Sequence, residues 1–253
     1  MIRALWSGAT GMAAQQFHID NISNNLANVN TSGFKKQRVQ FQDLYYQNMM
    51  MGNGSVASVG SGVRVSGTDR DFHQGPLERT DDPLSLAIEG QGFFTVIGPN
   101  GEDRYTRDGS FRLDSQGRLV NSQGYEVKME GATSVPPAVE DLTVDKNGMI
   151  YGKIGGTYQE FGKVILTVFP NPAGLEGVGS NLYRESAQSG PAVSVEPGLE
   201  GAGFILSGYL ENSNVEIVTE MVNLIVAQRA FELNSKSVEA ADQMWAIANN
   251  LKR

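Results

Sequence analysis

A chain of 253 residues, 40% of them hydrophobic, is long enough for two domains, and a net charge of −8 argues against nonspecific nucleic-acid binding. The absence of cysteine excludes disulfides and thiolate metal sites. No run approaches the ~18 apolar residues of a membrane span, and Gly8, Thr10, Gly11, Gln15 and Gln16 break any signal-like apolar core. The chain is therefore expected to be cytosolic, or exported by a route that reads no cleaved signal.

At the N-terminus Ile2, Leu5, Ala9, Met12, Ile19 and Leu26 follow a three- and four-residue spacing. This pattern predicts a helix packed along one seam, with Gln16 and Ser23 as polar faults in the register. Gly8 and Gly11 each cost roughly 1 kcal/mol of helix propensity relative to alanine. Asn21, Asn24 and Asn25 offer the backbone competing hydrogen bonds, so packing must hold this helix. The small residues Gly8, Ala9, Gly11, Ala13 and Ala14 are either incidental or the mark of close helix–helix approach. The helix is expected to end near Val29, where Asn28, Asn30, Thr31, Ser32 and Gly33 form a turn cluster.

Residues 31–70 read as a connecting segment. Lys35, Lys36 and Arg38 form a basic trio that reads as a solvated face rather than a nucleic-acid patch, and Val39, Phe41 and Leu44 are apolar anchors. Met49 to Gly62 is rich in Met, Gly, Ser and Asn and reads as flexible. Within it Met49, Met50 and Met51, with Val56 and Val59, are either incidental to a linker or a pliable contact surface.

From about Asp71 to Glu211 the period becomes two, as in Leu84, Leu86, Ile88 and in Val164, Leu166, Val168, while Phe93 to Ile97 is a continuous apolar run. Pro99-Asn100-Gly101, Ser115-Gln116-Gly117, Ser122-Gln123-Gly124 and Asn147-Gly148 supply hairpin turns. An antiparallel β domain of ten or so short strands is expected, with Phe204–Leu210 as its last strand. The chain lacks the nucleophile-elbow, phosphate-loop, dinucleotide and zinc-protease motifs, so no catalytic, cofactor-binding or metal residues are assigned. His18 and His73 stand alone. Asp103, Asp108 and Asp114 leave open an acid/base pair of the kind that hydrolyses cell-wall glycan.

The last segment, Asn212 to Leu251, places Ile217, Leu224, Phe231, Val238 and Trp245 at every seventh position. Five repeats predict a helix of roughly 55 Å at 1.5 Å per residue. Val226, Leu233, Ala240 and Ile247 form a second column, and Ser213 with Glu216 reads as a capping box. The fold class is thus α+β. Residues 1–30 and 212–253 form a discontinuous antiparallel helical coiled-coil domain, residues 31–70 connect, and residues 71–211 form an inserted antiparallel β-rich domain. A binding module made of the terminal helices alone is a further reading.

Three blocks carry a resemblance. Asn24-Asn25-Leu26-Ala27-Asn28-Val29-Asn30-Thr31-Ser32-Gly33-Phe34-Lys35 resembles the N-terminal signature of the bacterial flagellar rod and hook family of axial proteins. Gly92-Phe93-Phe94 with Tyr105-Thr106-Arg107-Asp108-Gly109-Ser110-Phe111 is similar to that family's central domain. Ser213-Asn214-Val215, Glu220-Met221 and Gln228-Arg229-Ala230-Phe231-Glu232 resemble its C-terminal signature. The resemblance implies a self-assembling structural subunit of the basal-body rod, in its distal part, with a proximal rod protein or short hook-type protein as alternatives. It implies a helical homo-polymer that meets other rod proteins, the hook protein and the surrounding ring proteins. Export by the flagellar type III apparatus and residence in the periplasmic rod are also implied, with neither membrane insertion, nucleic acid nor a cofactor. Assembly residues would be Leu5, Met12, Ile19, Asn24, Asn25, Leu26, Asn28, Gly33, Phe34, Leu224, Gln228, Arg229, Phe231, Val238 and Trp245. Met49, Met50, Met51, Val56 and Val59 would bridge to a neighbouring subunit.

Overall fold

Helix α1 (Ile2–Ala27) and helix α2 (Ile217–Asn250) occupy the two ends of the chain, and antiparallel strands fill the interval. The computed structural model describes residues 2–50, 56–131, 134–136, 139–199 and 201–250. The chain divides into two units: Met1–Ala27, Gln37–Asp71 and Val215–Arg253 form one, and Asn28–Lys36 with Phe72–Asn214 the other. The class is α+β, with the β unit inserted between the two helices.

In the helical unit α1 and α2 pack antiparallel: Gly8 lies against Val238, Gly11 against Asn234, and Asn25 meets Glu220. The buried positions on α2 are Glu220, Ala227 and Ala241, seven and fourteen residues apart. On α1 they are Gly8, Ala14, Asn21, Ile22 and Asn25. A seven-residue column is therefore present, but its phase differs from the expected one. Gln16 and Ser23 are exposed and so are not faults inside the seam. Gly8, Ala14, Ala227 and Ala241 let the backbones come close, and Ile22, Asn25 and Glu220 are buried beside them, while Leu224 and Phe231 stay half-buried.

The capping expectation also changes. Helix α2 begins at Ile217, and Glu216 ends the extended lead into it, its carboxylate accepting a hydrogen bond from the Thr219 hydroxyl at 2.8 Å. Ser213 and Val215 are buried in that extended lead, so Ser213 sits too far upstream to cap the helix.

The segment read as flexible includes residues 51–55, which lie outside the described residues; its described residues form paired strands. Strands Gln37–Asp43 and Val63–Arg70 pair from Gln37↔Arg70 to Asp43↔Val63, with a bulge between Gln40 and Phe41. Strands Tyr46–Met50 and Val56–Gly60 continue the pairing from Tyr46↔Gly60 to Met50↔Val56, and the Leu44 N–H donates to the Gly62 carbonyl between them. Glycine and serine hide the period of two that these strands nonetheless adopt.

In the β unit strand Phe93–Ile97 is the centre of a nine-stranded antiparallel sheet. It pairs with Asp103–Thr106, Glu126–Val127 and Leu166–Val168. Successive side chains of a strand face opposite ways. Accordingly Phe94 joins the main core with Leu86, Ile88, Leu166 and Ile205, while Phe93 packs with Tyr105, Phe169, Leu175 and Tyr183. Both faces are covered, which explains the continuous apolar run. A second, four-stranded sheet holds Met129–Gly131, Thr157–Val164, Met149–Ile154 and Glu140–Val144.

Between Leu77 and Glu211 the described residues include seventeen strands, more than the ten or so expected. Short turns cut single apolar stretches into two. Asp114 Oδ1 accepts from the Gln116 and Arg118 amides, and Asn121 Oδ1 accepts from those of Gln123 and Tyr125. The expected last strand is likewise divided at Gly208 (φ +78°) into Phe204–Ser207 and Tyr209–Glu211, which pair with different partners.

Candidate functional site: the apolar helix faces and the flanks of the β unit

Of the N-terminal signature, Asn24–Ala27 end helix α1, and the residues from Asn28 to Lys35 form a turn of the β unit. The Thr31 amide donates to the Asn28 carbonyl and the Phe34 amide to the Thr31 carbonyl, each at 3.2 Å. Gly33 adopts φ +68°, and a Cβ there would lie 2.5 Å from the Asp108 nitrogen. Only glycine permits both the backbone angle and this approach. The Gly33 amide donates to the Glu211 carbonyl at 2.7 Å. Three stretches that are distant in sequence, around residues 33, 108 and 211, thereby meet.

Lys35 follows, and it is not part of a solvated basic trio. Its side chain and that of Glu211 are both 0% exposed, and Nζ lies 2.6 Å from Glu211 Oε1. Nζ also donates to the His73 carbonyl at 2.7 Å. The second carboxylate oxygen, Glu211 Oε2, lies 3.3 Å from Arg107 Nη1. Arg107 Nη2 donates to the Gly90 carbonyl at 2.9 Å, and the guanidinium stands 5.2 Å from the centre of the Phe93 ring. Burial lowers the Arg107 pKa, and the Glu211 carboxylate opposes that shift. Lys35 and Arg107 stood inside the quoted signature blocks, but their pairing with Glu211 has no local spacing that a sequence reading detects.

In the helical unit the expected assembly residues divide by exposure. Leu5, Met12, Ile19, Leu26, Leu224, Phe231 and Val238 are half-buried, and Val238 meets Gly8 in the α1–α2 seam. Asn25 is buried, its Nδ2 donating to Glu220 Oε2 at 3.3 Å. Asn24, Gln228 and Arg229 are exposed, and Arg229 pairs with Glu232 on its own helix at 2.8 Å. Asn28 and Phe34 are half-buried in the turn of the β unit.

Outward-facing apolar side chains are the conspicuous property of α2. Val218, Met221, Val222, Ile225, Val226, Leu233, Trp245 and Ile247 are all exposed, Val218 at 69% and Leu233 at 66%. Trp6 and Phe17 add to this on α1. Soluble monomers rarely carry apolar surface of this extent along one helix, and such surface marks a site of association. Among the bridging candidates, Met49, Met50, Val56 and Val59 lie in the paired strands, with Val59 exposed, whereas Met51 lies outside the described residues.

The three aspartates do not form an acid/base constellation. Asp103 pairs with Lys128 at 2.7 Å, and Asp108 accepts from the Ser110 hydroxyl at 2.6 Å. Asp114 accepts from the Arg118 backbone amide and side chain. Its pKa is lowered, first by the Arg118 backbone hydrogen bond, which is opposite to the shift a general acid requires. Among the described residues no group of three His, Asp or Glu side chains is placed to hold a metal ion, and no helix is long and apolar enough to cross a membrane.

The same three regions match known family models. Residues 5–35 match the flagella basal body rod protein model, and residues 87–152 the flagellar hook protein FlgE/F/G D1 domain. Residues 206–251 match the flagellar basal body rod FlgEFG protein C-terminal model. The flagellar basal-body rod protein FlgG of Borreliella burgdorferi is 45% identical over 264 residues, covering 100% of both chains. The FlgG of Caulobacter vibrioides is 41% identical, covering 99% of this chain and 100% of its own. The flagellar hook protein FlgE of Helicobacter mustelae is 44% identical over 138 residues, covering 51% of this chain but 30% of the hook protein. Matched along their whole length by the rod proteins, the chain belongs to the FlgG family of flagellar basal-body rod proteins and is a structural subunit of the distal rod.

Proposed function

We propose that the subunit acts by polymerising into a stiff helical tube that transmits torque from the motor to the hook. The exposed apolar face of α2 carries this reading: Val218, Val226, Leu233 and Ile247 are exposed among the described residues, and copies of the same helix pair supply cover. The antiparallel α1–α2 pair acts as a coiled-coil core that lines the inner layers of the tube. In functional terms residues 1–30 with 212–253 are the assembly core, residues 31–70 connect, and residues 71–211 face outward.

The half-buried residues Leu5, Met12, Ile19, Leu26, Leu224, Phe231 and Val238 gain cover as neighbouring helices close on the flanks of the seam. The ribbon of Tyr46–Met50 and Val56–Gly60 bridges to the next subunit and resists sliding between copies. Hook protein and other rod proteins meet the ends of the polymer, and ring proteins surround it. The chain reaches the periplasm through the flagellar type III export apparatus. The role is structural, with no catalytic step.

The test is Val226→Asp with Leu233→Asp. Both side chains are exposed, so the monomer should fold with unchanged helix content by circular dichroism, while tubes disappear from electron micrographs. Normal tubes from the double variant would remove this face from the interface.

A further inference from the structure

We infer that Lys35, Arg107 and Glu211 form a buried latch that closes only when both flanks of the β unit are in place, and that this latch fastens the points where the chain leaves that unit. The inference concerns the single subunit and does not depend on polymerisation.

Glu211 is the hub. Its Oε1 accepts from Lys35 Nζ at 2.6 Å and from the Gly75 amide at 2.9 Å, and its Oε2 accepts from Arg107. Its main-chain carbonyl accepts from the Gly33 amide. One residue thus joins four segments of the β unit. Next to it the Lys36 amide donates to Asn214 Oδ1 at 2.8 Å, and Asn214 Nδ2 donates to the His73 carbonyl at 3.1 Å. The chain enters the unit at Asn28, passes out after Lys36, re-enters at Phe72 and leaves again after Asn214. The last three of these four crossings lie within two residues of this network.

Charge makes the closure conditional. A lysine with a fully buried side chain is tolerated only beside a counter-charge, and a buried carboxylate likewise. Lys35 and Glu211 are separated by 176 positions. If residues 28–36 dock before Glu211 arrives, an ammonium is buried without its partner. If Glu211 arrives first, its carboxylate has Arg107 alone. The last step is therefore cooperative, and a pull on one of these three crossings is shared with the other two through a network whose bonds to the Glu211 carboxylate are buried.

Amide hydrogen exchange on the full-length monomer tests this with Glu211→Gln, Lys35→Met and the triple variant Lys35→Met, Arg107→Met, Glu211→Leu. Glu211→Gln leaves two buried cations without a counter-charge. It should accelerate exchange at Gly33, Lys36 and Gly75 about tenfold or more relative to Phe94 and Leu166, by local opening. Lys35→Met keeps the Arg107–Glu211 pair and should have a smaller effect. Equal effects of the two single variants, or equal acceleration at flanks and core, would overturn the latch. If Glu211→Gln unfolds the whole unit, the apolar triple variant decides. It should refold with its core protected and its flanks still fast. Flanks as protected as in the parent would mean that burial alone holds them, and the latch would be wrong.

Discussion

Asn25 and Gln37 exchange a reciprocal pair of hydrogen bonds: Asn25 Nδ2 donates to the Gln37 carbonyl at 2.9 Å, and the Gln37 amide donates to Asn25 Oδ1 at 3.0 Å. The side-chain amide of a helix residue thus pairs with a strand residue as another strand would. The same Nδ2 also reaches Glu220 on α2, so one buried asparagine ties α1, α2 and the ribbon of the helical unit. Asn25→Ala should destabilise that unit by about 1–3 kcal/mol, because it orphans buried partners. Asn25→Asp should cost more, since it removes the donor and places a carboxylate beside Glu220. Urea unfolding followed by circular dichroism ranks the two, and a milder aspartate variant would contradict the pairing.

Gly33 separates two costs that are usually mixed. At Gly101 (φ +76°) an added Cβ meets nothing within 4 Å, so Gly101→Ala reports the backbone angle alone, roughly 1 kcal/mol. At Gly33 the angle is similar, but the added atom meets the backbone of Arg107 and Asp108, which cannot rotate away. Gly33→Ala should therefore destabilise the β unit by at least about 2 kcal/mol in urea unfolding. Equal midpoints for the two variants would show that the turn moves aside freely.

The α1–α2 seam makes an opposite demand. A Cβ on Gly8 would lie 2.6 Å from Val238 Cγ2, the far end of a side chain rather than backbone. Gly8→Ala should lose stability in the parent but gain in a Val238→Ala background, where the intrinsic helix preference of alanine, roughly 1 kcal/mol, is released. A double-mutant cycle by thermal unfolding should give a coupling above about 0.5 kcal/mol. Additive effects would place the two residues apart.

Tyr105 supplies a pH dependence. Burial, then Asp103 and Glu185, push its phenol up to about 12 from an ordinary value of 10.0. Below pH 10 the phenol is protonated in both folded and unfolded chains, and its contribution to stability is complete. As pH rises from 10 towards 12 the unfolded chain releases the proton first, so stability falls through that window. Ultraviolet titration of the folded protein should show a late-ionising phase that Tyr105→Phe removes. Tyr105→Phe should flatten the alkaline loss of stability, and an unchanged profile would assign that loss elsewhere.

The long-range plan was legible because it rests on repetition. A seven-residue period at the ends and a two-residue period between them suffice for two helices around a β unit. Phase was not legible. Leu224 and Phe231 outweigh Ala227 and Ala241 in hydrophobicity, so a linear reading marks the seam by residues that stay half-buried and passes over the small ones that are fully buried. Close approach depends on missing volume, and a missing side chain leaves no hydrophobic signal. The Lys35–Glu211 pair was hidden for another reason: two ordinary surface-type residues become a buried pair only through topology. The ribbon at Tyr46–Gly60 was hidden by composition, since glycine and serine weaken strand preference without abolishing pairing.

The unequal packing of the helices also predicts how descendants of this chain can vary. At Gly8 and Gly11 an added carbon meets the Val238 and Asn234 side chains of α2 within 3 Å, so these sites change only together with those partners. At Val226 and Leu233, by contrast, many apolar side chains satisfy the subunit itself, and only the neighbouring copy restricts the choice. Because every copy comes from one gene, a change on that outer face appears at once on both sides of each contact. Lineages should therefore change each glycine only with its partner on α2 while the outer face drifts in matched sets, so that rods from distant species become poor at mixing subunits although each subunit keeps the same fold.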